Sequence, residues 1–165
     1  MNLASKLLIG LIVLIVVAAA LLLVAGRVGW LEGTPPPDLG VTNGRLKPPS
    51  AMANSVSSQA ALYPDHPQRG SAEIAPLVYS GDGSAAMQRL AKLLEEWPNT
   101  RLVVNRAGYL RAESSTPVLR FTDDLEFWLD TTAGAIQVRS ASRLGQLDFG
   151  ANRKRVEALR AAFSR

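Results

Sequence analysis

No cysteine occurs in this chain. That absence excludes disulfides, thiolate metal sites, a cysteine nucleophile and a lipid-modified cysteine anchor, and it leaves the redox state of the compartment unreadable. Histidine is nearly absent as well. His66 is the single imidazole, and with carboxylates scattered along the chain it provides no metal-ligand spacing. It sits between Pro64, Asp65 and Pro67, and no strand-turn-helix nucleophile elbow accompanies Ser57 or Ser58, so it reads as an exposed loop residue rather than part of a serine triad. A strong charge of one sign is also lacking. Lys6 and Arg27 account for two of the eighteen basic residues, which leaves sixteen against fourteen acidic ones in the rest of the chain. That surplus is too small to argue for nucleic acid. No internal repeat, cofactor motif or catalytic motif of useful specificity is present, so no cofactor and no catalytic residue is assigned.

What the chain does have is a long apolar run. Leu7 to Gly26 is an unbroken stretch of Leu, Ile, Val, Ala and Gly, bracketed by Lys6 and Arg27. As a helix it spans roughly 30 Å, the thickness of a bilayer's hydrocarbon core, with its backbone hydrogen bonds satisfied internally. The alternative is a cleaved secretory signal, for which Ala18 and Ala20 imitate a cleavage site. Cutting there leaves Leu21-Leu22-Leu23-Val24 as an apolar new terminus, which favours a retained anchor. Lys6 and the amino terminus outweigh Arg27, itself offset by Glu32, so the positive-inside bias predicts a cytoplasmic tail over 1–6 and a domain on the periplasmic or extracytoplasmic side. Trp30 suits the membrane interface.

Gly33-Thr34-Pro35-Pro36-Pro37 ends the helix, and 27–43 reads as a Pro/Gly-rich linker. One domain of about 120 residues, over 44–165, follows, a size able to bury a core without metals or disulfides. Gly40 to Gly70 shows no sustained period and is expected to be an irregular arm. Ile74 to Tyr79 reads as a short strand. Asp82 or Ser84 then caps an amphipathic helix carrying Met87, Leu90, Ala91, Leu94 and Trp97, and Pro98 stops it. Thr100–Asn105 and Gly108–Ser114 form a hairpin, with longer strands at Leu119–Asp130 and Ala135–Ser142 and a closing helix marked by Asn152, Val156, Leu159 and Phe163. The expected class is α+β: an antiparallel sheet meander packed by two helices, preceded by one transmembrane helix.

Alternation puts Phe121, Asp123, Leu125, Phe127 and Leu129 on the core face of their strand. Pairing Asp130 with Ala135 aligns Leu125 with Ser140 and Asp123 with Ser142, so Asp123, Ser140 and Ser142 are polar groups on an apolar face. On the other face Glu126 lies across from Arg139, and Asp124 lies diagonal to Arg139 and Arg143. Asn152 repeats the anomaly on the closing helix, with Arg155 at the edge of its stripe. An unpaired buried polar group costs about 1 to 3 kcal/mol, so Asp123 and Asn152 are expected to be satisfied by each other, by the serines or by backbone groups in Leu144 to Gly150, and in the first case to meet and clamp that helix to the sheet. The functional reading of the same residues is a site for a phosphate or carboxylate, formed by Arg139, Arg143, Arg153 and Arg155 at a helix amino terminus. Asp148 competes for that terminus as a cap. The adjacent Asp123 and Asp124 point to opposite faces and cannot act as a carboxylate pair on one bond. Trp128, outward on its strand, reads as a contact residue.

Several blocks of this sequence are similar to one known family. Gly44-Arg45-Leu46-Lys47-Pro48, Asn54-Ser55-Val56-Ser57-Ser58-Gln59, Ile74-Ala75-Pro76-Leu77, Phe121 through Phe127, Arg139 through Gly145 and Asp148 through Arg155 resemble the domain-of-unknown-function family 1499. That family usually carries cysteines where this chain has Pro49 and Ser55, so the resemblance implies an arm held here by other contacts. It also implies an envelope or organelle-membrane setting and no established activity. The sequence thus describes a single-pass membrane protein, with residues 7–26 in the bilayer and a binding or structural module of the cell envelope outside it. Its expected partners are the lipid bilayer and an anionic small molecule or envelope protein; the rival is an enzyme acting on an anionic envelope substrate at Arg139 to Arg155.

Overall fold

A computed structural model describes residues 2–165. The chain opens with helix α1 (Leu3–Arg27), long and apolar enough to cross a membrane, a property shared by an anchor and a signal sequence. Its fold beyond that helix is α+β, as the periodicity predicts. The elements are β1 (Ser55–Ser57), a 3₁₀ turn (Ala60–Leu62), α2 (Arg69–Ala72), β2 (Leu77–Val78), α3 (Gly83–Glu95), β3 (Thr100–Arg106), β4 (Tyr109–Ser115), β5 (Thr122–Asp130), β6 (Ala135–Ser142) and α4 (Ala151–Phe163). Strands β3 to β6 form an antiparallel meander. Both β1 and β2 then add to the free edge of β6, completing a six-stranded sheet.

The register of the β5–β6 hairpin is the one that alternation predicts: Asp130 pairs with Ala135, Leu125 with Ser140, Glu126 with Arg139 and Asp123 with Ser142. Leu110, Leu125, Phe127, Ile136 and Val138 project from one face and are buried by Met87, Leu90 and Leu94 of α3 and by Val156 and Leu159 of α4. Asp82 caps α3 by accepting a hydrogen bond from the Ala85 N–H. Trp97 packs at the end of that helix, against the core.

Three expectations are corrected. The arm is not irregular throughout, since it contains β1, the 3₁₀ turn and the start of α2; a three-residue strand is too short to show a period of two. The strand expected over Ile74–Tyr79 contracts to Leu77–Val78, because the paired edge of β6 is shared with β1. The strand expected from Leu119 starts at Thr122, because Arg120 takes a left-handed conformation (φ 59°) that breaks the extended run.

The second face of the sheet is covered by the chain between α1 and β1, where antiparallel sheets often meet water. Leu46 is buried, its N–H donates to Gln59 Oε1, and its carbonyl accepts from the Tyr63 hydroxyl. Gly33 (φ +65°) lies so close that an added Cβ would stand 2.9 Å from the Arg143 Cβ, so the linker rests on the sheet. Trp128 is consequently half-buried, with Gly44 beside its ring, and is not the exposed contact residue that alternation alone suggests.

Candidate functional site

The two faces of the β5–β6 hairpin carry two separate polar networks. On the core face, Asp123 is 4 % exposed and Asn152 fully buried, so both point inward as expected. They do not bond to each other. Arg155 stands between them, with one guanidinium nitrogen 2.7 Å from Asp123 Oδ2 and another donating to Asn152 Oδ1 at 3.1 Å. The Ser140 hydroxyl also donates to Asn152 Oδ1, at 2.5 Å. The two N–H groups of the Asn152 amide are shared among three acceptors, the Asn54 carbonyl, the Ser142 hydroxyl and Asp148 Oδ2. The cause is that the Asn152 N–H groups are engaged elsewhere, by Asn54, Ser142 and Asp148, while Arg155 supplies donors both to the Asp123 carboxylate and to the Asn152 amide oxygen.

Asp148 occupies the α4 amino terminus, accepting from the Gly150 N–H at 2.9 Å and the Asn152 N–H at 3.0 Å. Burial raises its pKa, and these N–H bonds outweigh that effect and hold it below the usual carboxylate value. An internal carboxylate therefore takes the place where an external anion would bind. Arg153 turns away to donate to the Ser71 and Glu73 carbonyls, fastening α2 to α4. It does not join the other arginines.

On the opposite face, beneath the arm, lies a charged network. Arg139 (3 % exposed) reaches fully buried Glu126 at 3.3 Å, and its Nε donates to the Pro48 carbonyl. Glu126 also accepts from the Gly40 N–H at 2.7 Å and from the Tyr109 hydroxyl at 2.8 Å. Arg143 grips Asp124 with two bonds of 2.8 Å and reaches Glu113 at 2.5 Å. Arg111 and Arg101 flank these carboxylates. Burial lowers the Arg139 pKa against the opposing pull of Glu126, whereas the bonds to Asp124 raise that of Arg143. Burial and the neighbouring Glu126 charge push the Tyr109 phenol far above its ordinary value, so it stays a donor.

A cavity of about 290 Å³ separates part of the arm from this network, with Lys47, Arg139 and Arg143 in its lining beside Asp124, Ser50 and Ser142. Each of the three cations already holds a carboxylate: Asp38 for Lys47, Glu126 for Arg139, and Asp124 with Glu113 for Arg143. His66 accepts a bond from the Gln68 N–H, and Ser58 bonds to Gln137, so no serine-imidazole pair forms. No group of carboxylates and imidazoles able to hold a metal occurs among the described residues.

Sequence reasoning missed Tyr109, Arg111 and Glu113. Their signal was present, since the alternation of β4 puts all three on the face of Asp124 and Glu126 once Glu113 pairs with Asp124. Asn54 had no such signal, because it lies in the arm, where no period shows, and its side-chain partner is in the connection from β6 to α4. It donates to the Gly145 carbonyl while its own Oδ1 is the one buried side-chain oxygen left without a partner among the described residues.

The class these features define is a small α+β domain joined to an apolar helix, with its polar residues paired to one another. The chain belongs to the family described as protein of unknown function (DUF1499), whose model matches residues 45–163. No curated protein and no solved structure matches the chain.

Proposed function

We propose that this protein is a single-pass membrane protein whose α+β domain serves as a binding or structural module of the cell envelope, on the extracytoplasmic side. The observation that carries this reading is the pairing of the arginines and carboxylates. Arg139, Arg143 and Arg155 each spend their charge on an internal carboxylate, and Asp148 closes the helix terminus. Chemistry on a substrate needs groups free to take up protons or charge in the transition state, and paired, desolvated groups resist that change. The apolar character of α1 and the charge bias around it support the membrane setting and the orientation.

The cysteine-free chain makes the test clean. Ser164→Cys adds one thiol at the exposed end of α4. A membrane-impermeant maleimide applied to intact cells should label it, and alkaline extraction should leave the full-mass protein in the membrane pellet. Labelling only after lysis reverses the orientation, and a shortened, extractable protein replaces the anchor with a signal sequence.

A second reading, an anionic ligand in the cavity beneath the arm, is favoured by Lys47, Arg139 and Arg143 in its lining. A ligand at 100 times its dissociation constant stabilises a protein by about 2.7 kcal/mol. Thermal shift of the detergent-solubilised chain with inorganic phosphate, sugar phosphates and nucleotides separates the readings: a saturable shift abolished by Lys47→Ala favours the ligand.

A further inference from the structure

Helix α1 and the domain meet at one end of the sheet. A Cβ added at Gly26, in the last turn of α1, would lie 2.6 Å from the Leu119 carbonyl oxygen, a distance only glycine permits. Leu119 belongs to the connection between β4 and β5, and the connection from β6 to α4 emerges beside it, where the Arg143 N–H donates to the Thr122 carbonyl. The chain leaving α1 is fastened to the same end, by Gly33 against Arg143 and Leu144 and by Glu32 3.9 Å from Arg120. Large apolar side chains gather there in the open. Val118, Leu144 and Leu147 are exposed in the two connections, and Trp30 just after α1. Phe149 is 84 % exposed. Its backbone is left-handed (φ 52°), a conformation unfavourable for a bulky residue, and it is held in the turn that Asp148 closes by accepting from the Gly150 and Asn152 N–H groups, so the ring stands outward.

An apolar rim of this kind needs an occupant, and the position of α1 names it. A helix of 25 residues is about 37 Å long, so a span of this length carries its last turn into the headgroup region. Whatever touches Gly26 is therefore at the bilayer surface. Exposed Arg27 and Arg120 flank the contact and suit lipid phosphates, and Trp30 suits the interface. We propose that the 116–121 and 143–150 connections enter the bilayer interface through Val118, Leu144, Leu147 and Phe149, so that the domain rests on lipid instead of swinging on a free linker. This rests on the reading of α1 as a membrane span.

The test uses three single-thiol variants of the full chain, each carrying a nitroxide, in vesicles of phosphatidylcholine and phosphatidylglycerol. Val16→Cys lies in the middle of α1, Phe149→Cys on the rim, and Val78→Cys, also exposed, at the far end of β6 from the rim. Collision rates with oxygen, which partitions into lipid, and with a nickel chelate, which stays in water, report depth. The proposal expects the Phe149→Cys label to be several-fold less accessible to nickel than the Val78→Cys label, with the Val16→Cys label deeper than either. Equal nickel access at 149 and 78, with 16 buried, overturns the lipid contact while leaving the span intact. Nickel access at 16 removes the span and the proposal with it.

Discussion

Arg139 and Glu126 illustrate how a residue pair can be buried, charged and yet structural. Taking two such charges from water costs several kcal/mol per ion, which their attraction repays only when further bonds complete the set. Here the Tyr109 hydroxyl, the Gly40 N–H and the Pro48 carbonyl complete it. Removing one partner leaves a bare charge under the arm. Arg139→Met should therefore destabilise the domain by about 3 to 5 kcal/mol, whereas Arg139→Met combined with Glu126→Leu should recover a large share of that loss. Urea unfolding of the four proteins in the cycle measures the coupling directly, and additive losses would mean that the two side chains act independently. The core-face set follows the same logic around a neutral amide, since Asn152 has every hydrogen-bonding position of its amide in use beside the Arg155–Asp123 ion pair.

At the scale of elements, α4 depends on one carboxylate in the loop before it. Gly150 begins the helix without a side-chain cap, and Asp148 supplies the missing acceptor two residues earlier. The folded-state pKa values of Asp148 and Glu113 are both depressed, so their contribution is present in full above the unfolded values near 4 and is lost as pH falls through the folded ones. The melting temperature in detergent is expected to be level from neutral pH down to about 5 and to fall below about 4. Asp148→Asn should flatten part of that fall, and Asp148→Ala should cost about 1 kcal/mol at neutral pH. An unchanged acid slope in Asp148→Asn would assign the acid loss to Glu113 and the other carboxylates. Elements also mark how far the sequence could be read. Helices α3 and α4 and the β5–β6 hairpin are long enough for periodicity to show, and the register followed from one turn. Strands β1 and β2, with three and two residues, carry no period and exist because the edge of β6 accepts them.

For the whole molecule, the decisive feature is a sheet covered on both sides, by helices on one face and by the arm on the other. The polar half of the candidate site was legible as side chains, but its purpose was not, because the groups that answer Glu126 and Arg139 are backbone atoms of an arm without a pattern. In the membrane reading this closed construction also explains why a proline-rich linker does not set the domain free. The central claim is that the buried charges hold the arm down. Hydrogen–deuterium exchange of the full chain in detergent, read by mass spectrometry, tests it in one comparison. In the unaltered protein the Gly40 and Leu46 amides, bonded to Glu126 and Gln59, should exchange far more slowly than the exposed Thr131–Gly134 turn. In Glu126→Gln the arm should lose most of that protection while α3 keeps its own. An arm that exchanges freely in the unaltered chain, or that is equally protected in the variant, would contradict the account.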